Sequence, residues 1–323
     1  MSIYPIELPW ATLSLVAILG AAYLLVSAFV AHRFTHIRRK LPQLQQEHPE
    51  LNRQQVHFAA RDGRARIEAW YLPAKPRQGA VILVHGKDAC RGDELKSPTF
   101  TLAQRFRDAG ISVLMIDLRG HGTSSRARLS YGWHERHDVL GAVDYLLERG
   151  YAPGRIGVLG ASMGGATSVL AAAEEPAIGA LVTDSAYASF EAMIERQYAK
   201  LAHLPHCFLP GALAIGRLLL GVDVRRVQPL AWMPQLRGRP VLVIHSHGDR
   251  FVPSSDAHAL AEACGAECWR TDTDGHIGSY RALTQAYEER VVTFFARHLD
   301  VLPARHIVAT EADTVSEPML LAA

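Results

Sequence analysis

Ile156-Gly157-Val158-Leu159-Gly160-Ala161-Ser162-Met163-Gly164-Gly165, followed by Ala166-Thr167-Ser168-Val169-Leu170, decides how this chain is read. A continuous apolar run ends at a serine with glycines two before and two after it. A run of small residues follows. The box could be a tight turn where small side chains let a helix pack on a strand. It could also hold the serine strained and exposed at the mouth of a sheet, as a nucleophile must be. Gly-x-Ser-x-Gly alone does not choose between these, so its place in the chain has to.

Working outward, the apolar runs recur as Ala80–His85, Ile111–Asp117, Ala180–Asp184 and Val241–Ser246. They are continuous rather than alternating and rich in Val, Ile and Leu, as strands buried on both faces of a parallel sheet are. Arg66–Tyr71 alternates and predicts an exposed antiparallel edge strand. Helical stretches at Thr99–Ala109, Arg136–Arg149, Thr167–Glu175, Ala257–Cys264 and Tyr280–His298 lie between the strands. The expectation is an α/β fold with helices on both faces of the sheet and its site beyond the carboxyl ends of the strands. Residues 187–238 break the rhythm. They hold a helix over Phe190–Ala202 and the apolar run LPHCFLPGALAIGRLLLG, and predict a small helical cap.

A serine nucleophile at this turn needs an acid and then a histidine later in the chain. Asp249 follows the end of the Val241–Ser246 run, and His276 lies in a loop before the last helix. In this reading Ser162 attacks a carbonyl, His276 takes and returns the proton, and Asp249 orients the imidazole and stabilises its cation. The oxyanion donors expected are the backbone N–H groups of Met163 and Lys87, with the Lys87 side chain in solvent. Asp274 and Asp184 are rival acids. Asp274 is expected to shape the His276 loop. His245 and His247 are expected to buttress the Asp249 loop. His134 and His137 lack a third ligand partner, and no cofactor or metal is expected.

These pieces together resemble the α/β-hydrolase superfamily, in particular the membrane-anchored esterase and thioesterase-like branch near the prolyl-oligopeptidase-type serine hydrolases. The resemblance spans about residues 60–298. It rests on Leu83-Val84-His85-Gly86, Asp117–Gly122, Gly160–Gly165, Asp184–Tyr187, His245–Pro253 and Asp274-Gly275-His276. It implies a mostly parallel sheet of eight strands and a structural role for Asp184. One departure is that no glycine directly follows His245.

The chain has 323 residues, 49% hydrophobic and 20% charged, with a net charge of +2. No basic run interleaved with aromatics occurs, so a nucleic-acid partner is not expected. Its four cysteines form no CxxC pair; Cys264 and Cys268 could share a helix face. Leu8–Ala31 is uncharged, and as a helix measures roughly 36 Å, enough to cross a hydrocarbon core of about 30 Å. Arg33, Arg38, Arg39 and Lys40 follow it and place that flank in the cytoplasm.

The domain reading is therefore an anchor over 1–32 and a juxtamembrane linker over 33–52. A hydrolase domain over 53–302 carries the cap at 187–238, and a tail runs from 303 to 323. The expected function is hydrolysis of an acyl ester or thioester near the membrane, with the anchor in contact with membrane lipid. Peptide hydrolysis is the alternative enzyme reading, and a silent membrane scaffold the alternative outside enzymes.

Overall fold

The computed structural model describes residues 10–42, 52–74, 78–97 and 99–300. The tail expected from 303 and most of the linker lie outside them. The first element is α1 (Trp10–Thr35), followed by β1 (Gln54–Ala59), β2 (Arg66–Leu72), β3 (Gly79–Val84), α2 (Phe100–Asp108) and β4 (Ile111–Ile116). Next come α3 (Arg136–Glu148), β5 (Ile156–Ala161), α4 (Met163–Glu174), β6 (Ile178–Asp184) and α5 (Phe190–Ala202). α6 (Leu209–Leu220), α7 (Pro229–Trp232), β7 (Val241–Gly248), α8 (Ser254–Cys264), β8 (Glu267–Asp274), α9 (Gly278–Ala282) and α10 (Thr284–His298) complete the order.

The strands form one eight-stranded sheet in the order β1-β2-β4-β3-β5-β6-β7-β8. β3 to β8 are parallel, and β1 and β2 add an antiparallel margin. Successive residues of β3 serve opposite layers. Ile82 and Val84 join the core under α3, α4 and α8, whereas Val81 and Leu83 join the core under α2 and α10. Burial on both faces is why these strands read as unbroken apolar runs.

The structure corrects the edge. β2 lies between β1 and β4, and Ile67, Ala69, Trp70, Tyr71 and Leu72 are buried. The edge on this side of the sheet is β1, whose polar sequence QQVHFA gives little signal. Two smaller differences have local causes. The last helical stretch is broken at Leu283, where φ is −127°. Cys264 ends α8 while Cys268 lies in β8, so the two share no helix face.

The inserted segment is helical as expected, with α5, α6 and α7 in sequence. α1 packs along α6. The Tyr23 hydroxyl donates to the Cys207 carbonyl at 3.0 Å and accepts from the Gly211 N–H at 3.2 Å, and the Tyr23 ring stacks on Phe208. Beyond Thr35 the chain stays on the hydrolase domain. Ile37 is buried, and the Arg39 guanidinium donates to the Gly122 carbonyl at 2.5 Å. The start of the segment expected to be linker is thus a docked strap.

Candidate active site

β5 enters the centre of the sheet, and α4 leaves it one residue later, so the connection is very tight. Ser162 adopts φ 53° and ψ −118°, a conformation that L side chains rarely adopt. The glycines make the turn possible. A Cβ on Gly160 would sit 2.4 Å from the Gly164 carbonyl oxygen, and one on Gly164 would sit 2.3 Å from the Val84 carbonyl oxygen. The backbones of β3, β5 and α4 therefore touch directly behind the serine. The Ser162 N–H donates to the Asp184 carbonyl at 2.7 Å, which pins the turn to the end of β6.

The structure brings together the three side chains singled out from the sequence. Ser162 Oγ lies 2.7 Å from His276 Nε2, and His276 Nδ1 lies 2.7 Å from Asp249 Oδ2. An ionised carboxylate only accepts, so Nδ1 carries the proton and Nε2 is left to accept from the serine hydroxyl. The Phe251 and Val252 N–H groups donate to Asp249 Oδ1 at 2.8 and 3.0 Å. Burial alone would raise the Asp249 carboxyl. The His276 hydrogen bond and charge and the two amides outweigh burial and hold the carboxyl below its ordinary range. Burial pushes the His276 imidazole below 6.5, although Asp249 opposes this.

His245 is buried and donates from Nε2 to the Val252 carbonyl at 2.9 Å, bracing the loop that carries Asp249. His247 does not share that role. The register shifts between Ser246 and Gly248, and His247 is exposed. The rival acids lie apart from this chain of hydrogen bonds. Asp274 sits beside Gly248 at the strand ends. Asp184 is buried, accepts from the Ser185 hydroxyl, and is pushed up to about 7 by burial.

The Gly86-Lys87 loop runs against the serine. A Cβ on Gly86 would lie 3.4 Å from Ser162 Cβ and 4.0 Å from its Oγ. His85 holds that loop by contacts with the Gly86 carbonyl at 2.7 Å and the Leu118 N–H at 3.1 Å. Met163 opens α4, where an N–H has no intrahelical acceptor and the helix dipole is positive. The Lys87 side chain is exposed, and its ammonium pairs there with Asp88 at 2.5 Å.

A cavity of about 370 Å³ opens over Ser162. Tyr131, Tyr187, Met193, Leu201, Phe251 and Ile277 supply its apolar wall. Sequence reasoning did not single out several of these. Phe251 lies 5.0 Å, centroid to centroid, from the His276 ring. The Tyr187 hydroxyl donates to the Tyr131 carbonyl at 2.7 Å, tying two cavity walls together. Tyr187 belongs to the Asp184–Tyr187 motif and Phe251 to His245–Pro253, whereas nothing local in the sequence marks Tyr131 as a cavity residue.

The fold and this site define an α/β hydrolase, and comparison with known proteins agrees. The profile of the family described as serine aminopeptidase, S33, matches residues 75–221. The uncharacterized protein YqkD of Bacillus subtilis is 31% identical over 233 residues, covering 71% of this chain and 74% of YqkD. The chain belongs to the α/β-hydrolase superfamily of serine hydrolases. Among solved structures, the Pyrococcus furiosus esterase Pf2001 superposes with a TM-score of 0.67 at 20% identity, over 82% of this chain and 98% of its own. A puromycin-hydrolyzing peptidase of Mycobacterium tuberculosis superposes with a TM-score of 0.64 at 20% identity, over 83% of this chain and 42% of its own. At these identities the likeness is one of fold.

Proposed function

We propose that this chain is a membrane-anchored serine esterase or thioesterase. The observation that carries the reading is the pair of 2.7 Å contacts from Asp249 through His276 to a strained Ser162 under an apolar cavity. Ser162 Oγ attacks the acyl carbonyl as His276 Nε2 takes its proton. The oxyanion is met by the N–H groups of Met163 and Lys87. His276 then protonates the leaving alcohol or thiol, and water releases the acid by the same steps in reverse.

Ester is favoured over peptide substrate by the carboxylates available. An aminopeptidase needs a free acid to hold the substrate ammonium. Among the described residues, the carboxylates lining the cavity are Asp88 and Glu94. Asp88 is paired with Lys87. Glu94 is buried, is pushed up to about 7 by that burial, and accepts from Thr99 and the Gly92 N–H.

α1 supports the anchor, being 26 residues long with a mean hydropathy of 2.4 over its most apolar window. Arg33 in its last turn and Arg38, Arg39 and Lys40 beyond it favour a cytoplasmic domain. The test uses purified full-length protein on ester, thioester and amide substrates with one common acyl group. Ester or thioester turnover, with fluorophosphonate labelling at Ser162, is expected. Amide turnover exceeding ester turnover, or no labelling, would overturn the reading. Carbonate extraction of membranes tests the anchor, and release into the wash would refute it.

A further inference from the structure

α1 does not stand clear of the hydrolase domain. Every residue from Trp10 to Ala22 is exposed, a length of about 20 Å at 1.5 Å per residue. A bilayer's hydrocarbon core is about 30 Å thick. A span beginning near Trp10 therefore has to continue to about Phe29, through the stretch that packs on α6. The contact has the small-residue character of helix pairs in lipid. Ser27 is fully buried there, and a Cβ on Gly211 would meet its Oγ at 2.4 Å. Leu218 and Leu219 of α6 face outward, at 82% and 41% exposure. The cap is thus held at the inner edge of the membrane rather than at the end of a tether.

α1 leaves that edge at Phe29 to Arg33, and a groove of about 610 Å³ begins there. It shares Lys87, Asp88, Tyr131, Met193, Leu201 and Phe251 with the cavity over Ser162, so the two adjoin along these residues. Its outer rim is basic, with Arg33, Arg38 and Lys200, joined by His32, His36 and His203. Among the described residues, none of those three cationic side chains forms an ion pair. Asp88 is the one carboxylate in the described lining. It is engaged by the Lys87 ammonium at 2.5 Å and the Arg38 N–H at 2.9 Å. Three uncompensated cations at a bilayer edge suit a phosphate-bearing headgroup.

We propose that this groove is the access route for an anionic membrane lipid, with Arg33, Arg38 and Lys200 holding its headgroup while its acyl ester reaches Ser162. The proposal rests on the esterase reading and specifies its substrate class. The acyl C–O bond breaks, and the headgroup alcohol leaves with the proton carried by His276. Water then hydrolyses the Ser162 ester, freeing a fatty acid and restoring the hydroxyl.

The test reconstitutes the full chain in phosphatidylcholine vesicles. It compares lysophosphatidylglycerol with lysophosphatidylcholine of one acyl length, each normalised to p-nitrophenyl butyrate turnover in the same sample. An anionic-over-zwitterionic ratio of about ten is expected. The double variant Arg33→Gln, Lys200→Gln should bring the ratio toward one. So should salt on the unaltered protein, since the screening length falls from about 10 Å at 0.1 M to about 3 Å at 1 M.

A ratio near one in the unaltered protein, or one that neither the variant nor salt changes, overturns the proposal. An acetyl ester of glycerophosphoglycerol, which is soluble, separates the two sources of such a headgroup. Turnover of it equal to that of the lysolipid would make the substrate a soluble anion and overturn the lipid assignment. Butyrate ester turnover without cleavage of either lysolipid refutes this inference alone. Absence of all three activities refutes the esterase reading beneath it.

Discussion

Two regions of this molecule use small residues for opposite ends. At the head of the sheet, Gly160 and Gly164 are closed in, with backbone atoms of neighbouring elements under 2.5 Å from where a Cβ would stand. They fix one serine in one strained conformation. In α6, Gly216 has nothing within 4 Å of such a position, and Ala212 and Gly216 lie along α1 with a small gap between. The first region is specified atom by atom, whereas the second is specified by being apolar and slim. Perturbations at the sheet should therefore act on chemistry, and perturbations at the cap on docking and stability.

The largest effect that can break this contrast is at Ser162. Ser162→Ala is expected to lower short-ester kcat by about 10⁶-fold with the fold retained by circular dichroism. Retention of turnover would remove the sheet head from the chemistry. Asp249→Asn comes next, with a fall of about 10⁴-fold in kcat, because an amide no longer fixes the Nδ1 proton. Asp184→Asn should lower thermal stability before it lowers kcat, since its carboxylate bonds Ser185 and not His276. The reverse order for the two variants would exchange their assignments.

The topology that brings Asp249 to the site serves Asp184 at the end of β6 equally well, and what separates the two in the sequence is the family pattern. In a parallel sheet, a residue just past a strand's carboxyl end lands at the site, and β7 and β5 are separated only by β6. The continuous apolar runs marked five of the strands for the same reason, their burial on both faces. β1 was missed because one face of an edge strand meets solvent, so QQVHFA carries too few apolar residues to register. β2 was misplaced because alternation tells that a strand is half polar, not which neighbour it pairs with. The cavity wall was poorly legible. Tyr131 reaches it through a left-handed turn at φ 58°, and Phe251 through the loop after β7, with no periodicity to announce either.

Gly164→Ala sharpens the contrast at the level of folding. Its Cβ would press on the Val84 and His85 carbonyls, backbone that cannot turn aside. A loss of about 1–3 kcal/mol in chemical denaturation, together with loss of turnover, is expected. Wild-type stability would mean that β3 and α4 can separate without consequence.

A smaller effect is readable in pH. His276 must be neutral to accept the serine proton, and burial holds its imidazole below 6.5. Turnover should be level above pH 6.5 and fall as pH drops through the lowered value, by about tenfold per unit in kcat/KM. The Lys96 charge also disfavours the imidazolium. Lys96→Met removes that repulsion, makes protonation easier and should move the acid limb upward. An unmoved limb would remove Lys96 from the field that acts on His276.

The smallest effect lies in α6 and tests the looseness attributed to the cap. The gap between α1 and α6 has a volume of about 30 Å³ and is bordered by Ala31, Ala212 and Gly216. Gly216→Ala places one methyl where no atom lies within 4 Å and replaces a poor helix former with the best one. The expected result is a stability gain of up to about 1 kcal/mol, read as a raised thermal midpoint of the full chain in detergent, with short-ester kcat unchanged. The same methyl at Gly211 meets Ser27 Oγ at 2.4 Å, so Gly211→Ala should shift the midpoint downward. Two glycines five residues apart then report opposite signs, because Gly211 is closed against Ser27 while Gly216 borders the gap beside α1. Equal shifts would mean that α1 and α6 are not held together as described.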